Sequence, residues 1–245
     1  MGSGADWGPV ADRLAGDADV LAPDLPGHGG AVDLPDAAYT MDGAADRLAA
    51  LLDGPAVVAG YSMGGRLALH LALRRPDRVV ALVLVSASPG LATAEERATR
   101  RALDAERAEE IENDFDGFLD RWYRAPLWGD LPDSVRQSLV ARRRANRPDE
   151  LARSLRGMGT GAQPSHWDRL THLPCPAQAL AGERDDKYVR IAHAMGARGP
   201  VAPVVVPGAG HALLAEAPGA VAAAVRPLLG SNARGVAFAP STRPL

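Results

Sequence analysis

The sequence predicts an α/β fold, a mostly parallel sheet with a helical cap. Three observations predict it. Short apolar runs alternate with amphipathic helical stretches up to Ser86 and again from Ala177. One of those runs, Val79 to Ser86 (VVALVLVS), is apolar almost throughout, as expected of a strand covered on both faces. Between Gly90 and Leu170 the strand signal disappears and only charged helical patterns remain.

The totals bound the answer. A chain of 245 residues suits one large α/β domain or two small ones, and 47% hydrophobic with 23% charged residues is ordinary for a globular protein. A net charge of -3 gives no general attraction to nucleic acid or to an anionic membrane. Cys175, flanked by Pro174 and Pro176, is the only cysteine, which excludes an internal disulfide and a thiolate metal cage. No window is long enough to span a bilayer, and no basic segment followed by an apolar run opens the chain. No metal-ligand spacing stands out, so no cofactor is expected. A cytoplasmic enzyme acting on a small molecule is the default.

The elements follow in order. Met1 to Trp7 reads as loop, Pro9 to Leu14 as helix, and Asp19 to Asp24 as a strand ending in the turn Leu25-Pro26-Gly27-His28-Gly29-Gly30. Thr40 is placed to cap a helix whose inner face carries Ala45, Leu48, Ala49 and Leu52, and Asp53-Gly54-Pro55 stops it. A strand through Val57 and Val58 leads into a helix through Leu67 and Leu73. Helices over Glu95 to Ile111, Phe115 to Tyr123, Ser134 to Ala145 and Glu150 to Leu155 form the cap. A strand at Ala177 to Ala181, a helix from Tyr188 to Met195, a strand at Val204 to Val206 and a helix from Leu213 to Leu229 complete the pattern. The expected division is a first part of the core over 1–89, the cap over 90–170, the second part of the core over 171–229, and a flexible tail over 230–245.

The strand-to-helix junction Gly60-Tyr61-Ser62-Met63-Gly64 fits G-x-S-x-G, the nucleophile elbow of the α/β-hydrolase fold. Ser62 must occupy a strained turn there, with glycines allowing close backbone approach. The first amide of the new helix, that of Met63, is an oxyanion donor aided by the helix dipole. That fold orders its triad Ser, Asp or Glu, then His. Here Ser62, Asp185 and His211 have that order, the last two in turns that follow strands. His211 would accept the Ser62 proton while Asp185 sets the imidazole tautomer. Asp186 is the rival to Asp185. His28 is a turn residue, and His70, His166, His172 and His193 show no catalytic pattern.

The segments GSGADW, DLPGHG, GYSMGGR, RWYRAPLW, SLRGMGTGAQP, GERDDKY and GAGH together resemble the 2-succinyl-6-hydroxy-2,4-cyclohexadiene-1-carboxylate synthase family of menaquinone biosynthesis. They span most of Gly2 to His211, and the cap segment with GERDDKY is the most specific part. The resemblance implies a lyase: the activated serine acts as a base on the substrate ring system, and elimination expels pyruvate. It implies a polycarboxylate substrate in a pocket lined by arginines and aromatics. By motif position it assigns substrate contact to Tyr61, Arg66 and Trp122, and carboxylate binding to Arg143 and Arg97. The residues alone leave Arg97 and Arg143 equally readable as a solvated helix face. The guanidinium fork of each suits a carboxylate.

One departure stands out. Members of that family carry a strand ending in His-Gly-Phe just before the G-S-G segment, and its phenylalanine amide is the second oxyanion donor. Met1 stands where that motif would end. The N-terminal strand is therefore missing between the DLPGHG strand and the elbow strand, which predicts unpaired backbone in the sheet and a gene model truncated upstream. Two other functions remain open: a serine ester or thioester hydrolase using the same triad, and a non-catalytic ligand-binding relative.

Overall fold

The computed structural model describes residues 1–129, 131–229 and 235–237. Its sheet is built from β1 (Asp19–Leu21), β2 (Ala56–Tyr61), β3 (Val79–Val85), β4 (Ala177–Gly182), β5 (Val201–Val206) and β6 (Gly235–Ala237), all parallel, in the spatial order β1-β6-β2-β3-β4-β5. Side chains alternate across this sheet with period two. Val57, Ala59, Ala81, Val83 and Val85 face one layer, where they pack on α1 (Gly8–Leu14) and on residues near the C-terminal end. Val58, Leu82, Leu84, Ala177 and Ala179 face the other, which holds α2 (Met41–Ala50) and α3 (Met63–Arg74). From Ala81 to Val85 the run through β3 is apolar because both of its faces are covered, while Val80 near its start is exposed.

The helices start where the capping chemistry places them. The Thr40 hydroxyl accepts from Gly43 N–H at 3.0 Å at the head of α2. Between β3 and β4 lie α4 (Ala94–Asn113), α5 (Phe115–Arg124), α6 (Asp133–Arg143) and α7 (Pro148–Met158), with no strand among the described residues. α4 opens with a capping box, Thr93 N–H donating to Glu96 at 2.9 Å and Glu96 N–H to Thr93 Oγ1 at 3.1 Å. These helices bury their own small cores, one around Ala108, Ile111, Phe118 and Leu151, another around Leu119, Tyr123 and Leu139. After β4 come α8 (Asp186–Gly196), α9 (Leu213–Glu216) and α10 (Pro218–Val225).

Four differences from the sequence expectation have physical reasons. The helix expected from Leu213 to Leu229 is broken between α9 and α10, because Pro218 lacks an amide hydrogen and restricts Ala217 to an extended φ of -143°. β5 begins three residues before the expected Val204, since Pro203 is tolerated on the edge strand of a sheet. Gly4–Trp7, expected as loop, forms a 3-10 turn that buries Trp7. The expected flexible tail over 230–245 lies mostly outside the described residues, but Gly235–Ala237 is strand rather than tail. It fills the slot between β1 and β2 that was expected to be empty: Val236 pairs with Val20 on one side and Val57 on the other.

Candidate active site

The elbow is a strained turn held by its neighbours. Ser62 has φ 51° and ψ -110°, a conformation that costs an L-residue on the order of 1–3 kcal/mol and persists only where packing imposes it. Its N–H donates to Val85 O at 2.8 Å, and its carbonyl accepts from Arg66 N–H at 3.1 Å, pinning the turn to β3 and to the first turn of α3. Gly60 and Gly65 make the close approach possible. A Cβ at Gly60 would stand 2.3 Å from Gly64 O, and one at Gly65 would stand 2.5 Å from Ala87 Cβ. Gly64, by contrast, has open space, so the two tight positions are the first glycine of the motif and the one after its last. The amides of Met63 and Gly64 open α3, where no preceding turn offers them a carbonyl.

Two cavities meet at this turn. Ser62, Met63, His28 and Trp122 line both. The smaller, of about 170 Å³, is walled by Tyr61, Tyr123, Trp128, Arg143 and His211. The larger, of about 750 Å³, lies under the helices that follow β3 and carries six cationic side chains, Arg66, Arg100, Arg107, Lys187, Arg190 and Arg198, against the two acids Glu96 and Asp168.

His211 reaches the cavity from the turn after β5, and its Nδ1 lies 2.6 Å from Asp185 Oδ2. A carboxylate at that distance accepts from Nδ1–H, which leaves Nε2 as the basic nitrogen. The imidazole is 2% exposed and enclosed by aromatic rings: Tyr188 at 4.8 Å, Trp128 edge-on at 5.5 Å and Tyr61 at 5.6 Å between centroids. Asp185 is buried and also caps α8, its Oδ1 accepting from Tyr188 N–H at 3.3 Å. Its rival Asp186 is exposed at the first turn of the same helix.

The remaining expected residues divide. Arg66 is buried and faces the larger cavity, its Nη1 donating to Met158 O at 2.9 Å and to Gln163 Oε1 at 3.4 Å. Burial lowers its pKa to about 10, so it stays cationic at neutral pH. Trp122 stacks on Phe118 with centroids 5.8 Å apart and carries Arg107 over its face. Arg143 borders the smaller cavity but is already paired, Nη2 to Asp6 Oδ2 at 2.7 Å and Nε to Tyr123 Oη at 3.0 Å. Arg97 lies outside both cavities, donating to Leu91 O at 3.1 Å and Ala92 O at 3.2 Å at the foot of α4. The cationic wall shifts instead to Arg100 and Arg107. Their spacing of one heptad on a polar helix was the available signal. Among the described residues no group of three or more His, Cys, Asp or Glu side chains could hold a metal ion, and no helix is long and apolar enough to cross a membrane.

The family model described as "Alpha/beta hydrolase family" matches residues 2–224. Protein PHYLLO, chloroplastic, of Arabidopsis thaliana is 31% identical over 252 residues, 94% of this chain and 15% of that protein. The "Putative 2-succinyl-6-hydroxy-2,4-cyclohexadiene-1-carboxylate synthase" of Bacillus subtilis is 40% identical over 164 residues, covering 65% of this chain and 60% of its own length. The chain thus spans less than two thirds of either of these relatives. The synthase of the same name from Yersinia pestis is 35% identical over 201 residues, 78% of this chain and 72% of that one. Among solved structures, MenH from S. aureus superposes with a TM-score of 0.77 at 30% identity, covering 84% of this chain and 81% of that one.

Proposed function

This chain belongs to the α/β-hydrolase family and, within it, to the 2-succinyl-6-hydroxy-2,4-cyclohexadiene-1-carboxylate synthases, and from that membership we propose that it is a lyase of menaquinone biosynthesis. The observation that carries the reading is that Ser62 lines both the cavity walled by His211 and the neighbouring cavity rich in guanidinium groups, an environment for a substrate bearing several carboxylates.

The residues divide the work. Asp185 holds Nδ1–H of His211, so Nε2 takes the proton from Ser62 Oγ. The alkoxide then removes a proton from the substrate ring. The C–H electron pair becomes a ring C=C bond as the bond from ring carbon to the enolpyruvyl oxygen breaks. The departing enolpyruvate takes up a proton and leaves as pyruvate. Negative charge building on the substrate is met by the Met63 amide at the start of α3. Tyr61 and Trp122 shape the walls and Arg66 holds a carboxylate. A cytoplasmic setting suits the one cysteine, Cys175, which is buried and unpaired.

Pyruvate release from the enolpyruvyl substrate, followed by coupled lactate dehydrogenase, tests the reading with the wild type beside Ser62→Ala. Release that depends on Ser62 is expected. A folded wild-type protein that releases no pyruvate overturns it, and stoichiometric acylation of Ser62 by an activated ester, followed by turnover, would move the chain to the hydrolases.

A further inference from the structure

Arg66 is held in place without being neutralised. It is buried in the first turn of α3, it lines the larger cavity, and among the described residues no carboxylate lies within ion-pair distance of its guanidinium. Its two hydrogen-bond partners are neutral oxygens, and Nη1 serves both. One is the carbonyl of Met158 at 2.9 Å, the last residue of α7, where a helix has no further amide to offer its own carbonyls and carries partial negative charge. The other is Gln163 Oε1 at 3.4 Å. Nε and Nη2 make no hydrogen bond among the described residues. Neither is one of the fully enclosed unpartnered nitrogens, so both are reached from the cavity. Burial lowers the Arg66 pKa to about 10, with Tyr188 and Asp104 offsetting part of that and Arg100 adding to it.

Gln163 is fixed at both ends. It is fully buried, its backbone N–H donates to Gly159 O at 3.1 Å, and its Nε2 donates to Ser88 O at 3.0 Å. The side-chain contacts leave one orientation for the amide. Ser88 offers a carbonyl acceptor and Arg66 only donors, so the nitrogen must face the first and the oxygen the second. A glutamate at this position would set a carboxylate within ion-pair distance of Nη1 and use up the cation inside the protein. An apolar residue would remove the acceptor that aims it. We propose that Gln163 is a positioning residue that directs Arg66 at the cavity and, being neutral, reserves its charge for an anionic group of the substrate. The inference rests on the proposed polycarboxylate substrate for the identity of that group, whereas the role of Gln163 toward Arg66 can be read without any substrate.

Phenylglyoxal, which attacks the deprotonated guanidinium, is the probe, and labelling at Arg66 is followed by peptide mass spectrometry. Gln163→Glu supplies a counter-ion, raises the Arg66 pKa and should slow labelling there by about tenfold or more, a factor of ten for each pKa unit. Gln163→Leu supplies none and should not slow it. A residue that only packed its segment would speed labelling in both variants by opening the site. In pyruvate release, Gln163→Glu should raise KM by about tenfold or more with a smaller change in kcat. Gln163→Leu should raise KM less, because its cation remains available. Arg66 labelling that is unchanged or faster in folded Gln163→Glu protein overturns the assignment, as does slowing of equal size in both variants. A wild-type KM in Gln163→Leu does so too. Wild-type protein that releases no pyruvate would overturn the proposed reaction while leaving the labelling result standing.

Discussion

Arg143 and Asp6, 137 residues apart in sequence, meet as a buried two-point ion pair, Nη1 to Oδ1 at 3.0 Å and Nη2 to Oδ2 at 2.7 Å. Burial alone would lower the guanidinium pKa. Tyr123 and Asp6 more than reverse that, so the group stays cationic. The pair ties the first turn of the chain to the end of α6 across the smaller cavity. Removing Asp6 strands the buried Arg143 charge, which costs about 3–5 kcal/mol in comparable buried pairs, whereas removing Arg143 leaves Asp6 paired with Arg142 Nη1 at 2.9 Å. Asp6→Asn should destabilise by that order and Arg143→Met by less, because Arg142 still holds Asp6. The double variant should fall well short of the sum, because it leaves no orphaned charge. Urea unfolding of the four proteins measures the coupling, and simple additivity would show that the contact holds nothing together.

The strained elbow makes a different kind of prediction. Ser62 sits at φ 51°, where glycine carries no Cβ penalty. Ser62→Gly should therefore raise stability by about 1 kcal/mol while abolishing activity, whereas Ser62→Ala keeps the strain and should leave stability nearly unchanged. Denaturant midpoints of the two inactive variants decide it. Equal midpoints would mean that the turn holds no strain worth releasing.

These two cases mark what was legible in the sequence. The elbow was readable because its signal is local: a strand, a glycine turn and a helix within twenty residues, with Ser62 at the junction. Asp185 and His211 were readable for the same reason, each standing just past a strand. The state of Arg143 was not, because nothing near it in sequence announces Asp6. Arg97 and Arg100 sit three residues apart on one polar helix, and sequence cannot say which of them faces a cavity formed by other segments. The β6 strand was hidden for a further reason. Three residues, Gly235-Val236-Ala237, carry no periodicity, and the sheet supplies the pairing that defines them.

A buried histidine outside the site, His166, gives a pH dependence. Asp42 accepts from His70 Nε2–H at 2.7 Å, so His70 Nδ1 accepts from His166 Nε2–H at 3.0 Å. His166 Nδ1 is then a bare, buried nitrogen with no hydrogen-bond partner among the described residues. Burial first, then the neighbouring charges of His70 and Arg169, lower the His166 pKa from 6.5 to about 4. Between those values the unfolded chain binds a proton that the folded one refuses. Stability is therefore complete above pH 6.5 and declines as pH falls toward 4, by up to about 1.4 kcal/mol per pH unit for this site. Urea midpoints from pH 7 to 4.5 should fall more steeply for the wild type than for His166→Leu. Parallel slopes would remove His166 as the cause.

Asp185 performs two tasks with its two oxygens, orienting His211 through Oδ2 and capping α8 through Oδ1, and substitutions can separate them. Asp185→Asn retains a carbonyl oxygen to accept from Tyr188 N–H, so the helix keeps its cap and stability should change little. The amide nitrogen now faces His211 and donates to Nδ1, which forces the proton onto Nε2. A protonated Nε2 cannot take the Ser62 proton, and kcat should drop on the order of 10³–10⁴-fold, as removal of the orienting charge does in other serine triads. Asp185→Ala should lose the cap as well, destabilising by about 1 kcal/mol beyond the same kinetic loss. Asp186→Asn, at an exposed position on the same helix, should leave kcat largely unchanged. Measuring kcat and the unfolding midpoint on the three variants separates the roles. Should Asp186→Asn prove the crippled one and Asp185→Asn active, the acid that orients His211 has been misassigned.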